Sequence, residues 1–135
     1  MSRVLFRDAH VTLAYDEASG LVRYTRSSEP FASVADLSAS HDRMAAALPP
    51  FFPSGGLKLL IDVRDAPPRT DEAFEAVVTG LLETFVRRFS AHAFMVKSAV
   101  GRLQTQRLAR TRGDAHPSVF DDERAALRYL GVPGA

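Results

Sequence analysis

The sequence predicts an α/β fold: a mixed sheet that begins with an N-terminal β-hairpin and continues with alternating helices and parallel strands. Three observations predict it. Residues 4–25 hold short runs of alternating apolar and polar residues around a glycine-containing turn, which is typical of a hairpin. Residues 57–63 are almost wholly apolar, as in a strand that is covered on both faces. Helix and strand patterns then alternate, which favours parallel strands joined by right-handed crossovers.

Length and composition limit the class of protein. The 135 residues predict a single domain over residues 1–135, since a second one would have too little apolar surface to bury. With 17 basic and 16 acidic residues and 46% hydrophobic residues, the composition is that of an ordinary globular protein. The sequence has no cysteine, which excludes disulfides, thiolate metal sites and cysteine nucleophiles. No apolar run approaches the ~18 residues of a membrane span, and charged residues begin the chain, so we expect a cytoplasmic protein.

The first half of the chain predicts three strands and a helix. Residues 4–6 are expected to form an edge strand beside the hairpin of residues 11–25. Ser33 is expected to cap a helix, with Asp36 as the second member of a capping box, and the helix should last until Pro49. Its predicted inner face is Val34, Leu37, His41, Met44, Ala45 and Leu48.

The middle of the chain predicts a central strand and a long amphipathic helix. The strand is residues 57–63, and Thr70 and Asp71 follow as an N-cap pair. The helix presents seven apolar residues at helical spacing, and we expect all of them to be buried against the sheet. They are Phe74, Val77, Val78, Leu81, Leu82, Phe85 and Phe89.

The last part of the chain predicts two further strands and two helices. Residues 91–96 predict a strand, residues 103–112 a helix with few large apolar residues, and residues 118–120 a short strand. Asp121 is then expected to cap a final helix that ends at Gly131. The buried side of this helix is predicted to be Ala126, Leu127 and Leu130.

The carboxyl ends of the parallel strands are the expected place for a functional site, because ligands of open α/β sheets bind there. The residues gathered there are Asp62, Arg64, Asp65, Thr70, Lys97, Ser98 and Arg102. A structural alternative is that Asp62 and Asp65 form salt bridges with Arg64 or Lys97. A phosphoacceptor aspartate of the receiver-domain kind is disfavoured, because no lysine follows the last predicted strand.

A basic segment follows the strand of residues 91–96. Between Lys97 and Gly113 the chain carries five cations and no acid: Lys97, Arg102, Arg107, Arg110 and Arg112. Such a segment can bind phosphates, nucleic acid or an acidic protein surface, or it can be the solvated face of a helix. It lacks interleaved aromatic residues, so an acidic protein surface is the preferred partner and no nucleic acid is expected.

Other chemical motifs are absent from the sequence. The four histidines, His10, His41, His92 and His116, show no metal-ligand spacing. No nucleophile elbow, phosphate-binding loop or dinucleotide fingerprint occurs. The sequence therefore predicts no metal, no cofactor and no catalytic residue, and His41 is expected to lie in the core or at its edge.

Two segments resemble a known family. Residues 59–64, LLIDVR, look like the "LLIDxR" central strand of the SpoIIAA-like family, relatives of the STAS domain of anti-sigma factor antagonists. Residues 119–130 look like that family's closing "VFxDExxALxWL" segment, with Tyr129 where a tryptophan is usual. The resemblance implies a STAS-like fold and a non-enzymatic bacterial regulatory domain that switches protein partners. In some members a serine or threonine after the central strand is phosphorylated, but here Arg64 and Asp65 stand at that turn.

The leading expectation is a domain that binds a protein partner through its strand-end loops and its basic helix. The residues expected to take part are Asp62, Arg64, Asp65, Thr70, Ser98, Arg102, Arg107 and Arg110. The alternative is a carrier or sensor of a small apolar ligand or lipid, held beneath the first helix and the proline-rich loop of residues 49–53. The sequence is compatible with a homo-oligomer and does not identify the partner.

Overall fold

The computed structural model of this chain describes residues 2–48, 56–67, 71–97, 103 and 118–132. In this part of the chain, six strands form one mixed sheet and three helices pack on it, so the predicted α/β class is confirmed. In chain order the elements are β1 (Ser2–Arg7), β2 (Val11–Asp16), β3 (Leu21–Arg26), α1 (Val34–Ala46), β4 (Lys58–Asp62), α2 (Glu72–Val86), β5 (Ala91–Met95), β6 (Val119–Phe120) and α3 (Glu123–Leu130).

The N-terminal strands form an antiparallel meander, as the alternating pattern predicts. β2 pairs with β1 on one side and with β3 on the other. A β-bulge between Val4 and Phe6 shifts the register of β1 by one residue. Among the described residues β1 pairs only with β2, which confirms the predicted edge strand.

The remaining strands are parallel and share one direction. β3, β4, β5 and β6 lie side by side, and their registers align Thr25, Asp62, Met95 and Phe120 at the ends of the strands. We call this the carboxyl end of the sheet. β4 lies between β3 and β5, so the predicted central strand is confirmed.

Side-chain alternation along β4 separates two hydrophobic cores. Leu59 and Ile61 point to the face that α1 and α2 cover, and both are at most 1% exposed. Leu60, which is fully buried, points to the opposite face, which α3 covers. Burying a side chain of this size contributes about 1.5–3 kcal/mol, so β4 stabilises the core on both faces of the sheet.

Ser33 caps α1 as the sequence predicts, but among the described residues the Asp36 side chain returns no hydrogen bond, so the predicted capping box is only half formed. The Ser33 hydroxyl accepts a hydrogen bond from the backbone N–H of Asp36 at 3.1 Å, which satisfies one free donor of the first turn. The helix ends at Ala46, slightly before the proline-rich loop, which lies outside the described residues. Leu37, Met44 and Leu48 are buried as expected.

The predicted burial of α2 is only partly correct. Phe85 and Phe89 are buried, whereas the other five apolar residues of the predicted face are half-buried and pack against the margin of the core. α2 packs on α1, and just beyond the end of α2 Arg88 donates to the Ala45 carbonyl at 3.2 Å. Asp71 is the N-cap residue, but its side chain makes no capping hydrogen bond, and Thr70 lies outside the described residues.

The last helix begins one residue later than predicted. Asp122 is the N-cap of α3 and accepts a hydrogen bond from the Arg124 backbone N–H at 3.2 Å, so the expected cap at Asp121 is wrong. The strand runs to Phe120 and leaves Asp121 in the intervening bend. Gly131 ends the helix with φ 73°, a conformation that favours glycine.

Two further points concern the chain as a whole. Of the helix predicted over residues 103–112, only Leu103, which is exposed, is described. Within the described residues, no helix combines the length and apolar character needed to cross a membrane.

Candidate functional site at the carboxyl end of the sheet

Asp62, the last residue of β4, forms a two-point ion pair with Arg64. The Arg64 Nε lies 3.0 Å from Asp62 Oδ1, and Nη2 lies 2.7 Å from Oδ2. The backbone N–H of Arg64 also donates to Oδ1 at 3.1 Å. The Asp62 side chain is 12% exposed and that of Arg64 is 41% exposed, so a largely buried carboxylate positions a guanidinium at the surface.

The pair extends to a second helix and a second strand. Glu123, in the first turn of α3, accepts a hydrogen bond from Arg23 of β3 at 3.0 Å and lies 3.9 Å from Arg64. Asp62, Arg64, Glu123 and Arg23 therefore form one chain of alternating charges, which we call the strand-end network. It joins β3, β4 and α3 on the face that α3 covers.

The network fixes the ionisation of its central pair. Burial by itself would raise the pKa of Asp62, but the side-chain and backbone hydrogen bonds from Arg64 outweigh it, and the pKa lies below its ordinary value. The hydrogen bond to Asp62 in turn raises the pKa of Arg64. Both groups are therefore charged at neutral pH, and both Asp62 oxygens are occupied.

The structure brings together only some of the residues that the sequence selects. Asp62 and Arg64 are in contact, which is the pairing expected under the structural alternative. Asp65 lies beside them in the exposed turn, and Lys97 is exposed after β5. Thr70, Ser98, Arg102, Arg107 and Arg110 lie outside the described residues, as does most of the basic segment.

The described part of the carboxyl end carries more acidic than basic side chains. Arg64, Lys97 and Arg124 are its exposed cations, whereas exposed carboxyl groups begin α2 and precede α3. These acids are Asp71, Glu72, Asp121 and Asp122. Two helices begin at this end, and the excess of acids lies where helix dipoles favour negative charge.

A second polar cluster, which the sequence analysis missed, lies in the turn between β1 and β2. Asp8 accepts hydrogen bonds from the backbone N–H groups of His10 and Val11, both at 2.8 Å, and from the Ser40 hydroxyl at 2.7 Å. Ser40 is 1% exposed. A serine within the apolar face of α1 was the signal, since a buried hydroxyl requires a partner.

Next to it, Arg26 is buried at the end of β3. It is 7% exposed, donates to the carbonyls of His10 and Glu29 at 3.2 and 2.9 Å, and its guanidinium lies 4.5 Å from the centre of the Phe31 ring. His10 stacks on the same ring at 4.2 Å. No carboxylate among the described residues lies within 4.0 Å of Arg26.

Tyr24 lies two residues before Arg26 and faces α1 and α2. Its ring centre is 6.4 Å from that of Phe85, which His41 contacts edge-on at 5.6 Å. Burial raises the pKa of Tyr24 to about 12, with smaller and opposite effects from Arg26 and Asp8. Burial also lowers the pKa of His41, which therefore stays neutral at pH 7.

Comparisons of this chain with protein families, curated proteins and solved structures found no match. Among the described residues, no group of three or more histidine, aspartate or glutamate side chains is arranged to hold a metal ion.

Proposed function

We propose that this chain is a non-catalytic regulatory domain that binds a protein partner at the carboxyl end of its sheet. The observation that carries the proposal is the strand-end network, because Asp62 of β4 holds Arg64 at the surface by two hydrogen bonds, and Glu123 of α3, which Arg23 of β3 also bonds, lies 3.9 Å from it. A fixed surface charge gives specificity in protein recognition by matching an opposite charge on the partner. Asp65 and Lys97 are further exposed charges at this end of the sheet.

The chemistry of Asp62 supports binding rather than catalysis at this position. A general base must accept a proton near neutral pH. The hydrogen bonds from Arg64 hold the pKa of Asp62 below its ordinary value and occupy both of its oxygens. The carboxylate therefore acts as the anchor of Arg64.

We also propose that the domain has the STAS-like arrangement and belongs with the SpoIIAA-like regulators of bacteria, acting in the cytoplasm. Supporting this, the two segments that carry the resemblance are β4 with its following turn, and β6 with α3. Their polar residues Asp62, Arg64 and Glu123 are those of the strand-end network. Arg64 of the first segment lies 3.9 Å from Glu123 of the second, so the polar residues of both segments belong to one ion-pair network.

The test is partner capture with two charge-reversed variants. Asp65→Arg reverses an exposed charge that takes no part in the hydrogen bonds between Asp62 and Arg64, although it acts on the charge of Arg64. Glu17→Arg reverses an equally exposed charge in the β2–β3 turn, at the opposite end of the sheet. Each variant and the wild-type protein are cross-linked in lysate of the source organism, and captured proteins are compared by quantitative mass spectrometry.

The proposal expects at least one protein that Asp65→Arg loses and Glu17→Arg keeps. Binding of that protein, purified, should then fall about tenfold or more on Asp65→Arg, as for a charge pair in an interface. If no captured protein distinguishes the two variants, the carboxyl end is not the recognition surface.

A further inference from the structure

Tyr24 and Arg26 lie next to aromatic side chains at the margin of the core, where several side chains are partly exposed to solvent. Tyr24 and His41 are only half-buried, and so is Phe74, whose ring centre lies 6.5 Å from that of Phe31. Solvent therefore reaches side chains that face one another across β3, α1 and α2. We call the group of Tyr24, Arg26, Phe31, His41, Phe74 and Phe85 the aromatic cluster.

The cluster contains hydrogen-bond donors that the described residues do not use. The Tyr24 hydroxyl makes no hydrogen bond within the described part of the chain, and neither does Nη1 of Arg26. Arg26 is more than nine-tenths buried, and its close neighbours among the described residues are two carbonyls, which accept its hydrogen bonds, and one aromatic ring. A buried polar group without a partner costs about 1–3 kcal/mol, so the unused Nη1 of the buried Arg26 favours an acceptor beside it.

The charges around the cluster favour an anion. The negative charge of Asp8 also acts on Tyr24. The Asp8 oxygens, however, already accept hydrogen bonds from two backbone N–H groups and from the Ser40 hydroxyl. In addition, Arg43 Nη2 lies 3.5 Å from Asp8 Oδ2. His41 is neutral at pH 7 because burial lowers its pKa. Arg26, which stays protonated in proteins, has no carboxylate within 4.0 Å in the described part of the chain, and the charge of Asp8 acts on it only from a greater distance.

We propose that the aromatic cluster binds a small carboxylic acid with an apolar body, whose carboxylate accepts hydrogen bonds from the Tyr24 hydroxyl and Arg26 Nη1. The planar guanidinium suits a carboxylate, and the half-buried rings of His41 and Phe74 supply contacts for the apolar body. This site lies on the face of α1 and α2, whereas the strand-end network lies on the face of α3, and it does not depend on the proposed protein partner.

The test measures binding of matched acids and alcohols to the full chain by calorimetry. The probes are the straight-chain acids from hexanoate to dodecanoate and 4-phenylbutanoate, each compared with the alcohol of the same skeleton. We expect at least one acid to bind at one site, and its alcohol to bind at least tenfold more weakly, since a hydrogen bond to a charged group is worth about that factor or more.

Tyr24→Phe locates the site with little risk to folding. It removes only a hydroxyl that makes no hydrogen bond in the described part of the chain, so its thermal midpoint should equal or exceed that of the wild type. Affinity for the acid should fall about tenfold. Tyr129→Phe, on the exposed side of α3, is the matched control and should leave binding unchanged.

Three outcomes would overturn the proposal. One is that no acid of the series binds. Another is that acids and alcohols bind equally. The third is that Tyr24→Phe, shown to be folded by its thermal midpoint, binds the acid as well as Tyr129→Phe does.

Discussion

Arg64 bonds both carboxylate oxygens of Asp62, at 3.0 and 2.7 Å, although the two residues are separated by only one position in the chain. The contact is possible because β4 ends at Asp62 and a turn follows at once. The ion pair therefore depends on the conformation of that turn as well as on the opposite charges of the two side chains. Its contribution to stability is expected to exceed that of an ordinary surface pair, because one partner is largely buried.

Arg64→Met tests this contribution. The substitution keeps an unbranched side chain but leaves the Asp62 carboxylate, 12% exposed, without its ion pair. We expect the free energy of unfolding to fall by about 1–3 kcal/mol. Arg87→Met is the matched control, since Arg87 pairs with Glu83 at 2.6 Å but is 73% exposed, and it should change stability by less than about 0.5 kcal/mol. Both are measured by urea unfolding, and equal losses would contradict the expected role of burial.

The Asp8 cluster predicts a loss of stability in acid. The hydrogen bond from Ser40 and the backbone hydrogen bonds from His10 and Val11 outweigh burial, and the folded pKa of Asp8 lies below 3.8. A lowered folded pKa contributes stability above the unfolded value, and this contribution is lost as the pH falls through the folded pKa. Unfolding measured from pH 6 to pH 2 should therefore show stability declining as the pH drops below about 4.

Asp8→Asn separates this carboxylate from the others. An asparagine oxygen can still accept from the turn, but it does not titrate. At pH 6 the variant should be less stable by about 1–2 kcal/mol, and the difference from the wild type should shrink towards pH 2. A difference that stays constant over this range would show that the charge of Asp8 contributes nothing.

Two glycines are expected to respond to alanine in opposite directions. Gly80 lies in the middle of α2, is exposed, and has no atom within 4 Å of an added Cβ. Gly80→Ala should therefore stabilise the protein by about 0.5–1 kcal/mol. Gly56 has φ 76°, and an added Cβ would lie 3.0 Å from the Ser90 Cβ, so Gly56→Ala should destabilise it by about 1–2 kcal/mol.

Thermal unfolding of the two alanine variants checks both signs at once. Because each replaces one glycine by one alanine, the composition and charge are identical. Destabilisation by Gly80→Ala would show that a neighbour approaches α2 more closely than the exposed surface of Gly80 indicates.

Local patterns in the sequence are sufficient for much of this fold. The run around Leu59, Leu60 and Ile61 predicts a strand with both faces covered, because a strand that faced water on one side would alternate with polar residues. The Ser33 cap and the end of α3 at Gly131 are equally local. Asp121 and Asp122 show the limit, since two adjacent aspartates are equivalent as caps until the end of β6 is known.

The candidate sites depend on contacts that no local pattern contains. Glu123 and Arg23 are 100 residues apart, and Asp8 and Ser40 are 32 apart. A carboxylate in a turn and a serine on a helix are both common, so only the fold shows that they meet. The burial of Arg26 at the end of β3 is hidden for the same reason, because arginine is usually exposed.

The bulge in β1 has a consequence for how this protein behaves at high concentration. An unpaired outer strand can accept the strand of another molecule, and such pairing can repeat without limit. The extra residue between Val4 and Phe6 interrupts the even spacing of backbone donors and acceptors that a strand of a second molecule would need for pairing. Arg3 and Arg7 lie on either side of this bulge. In many pairings of β1 with β1 of a second molecule, these arginines would face arginines. The molecule thus carries its own safeguard against stacking into fibrils through this rim.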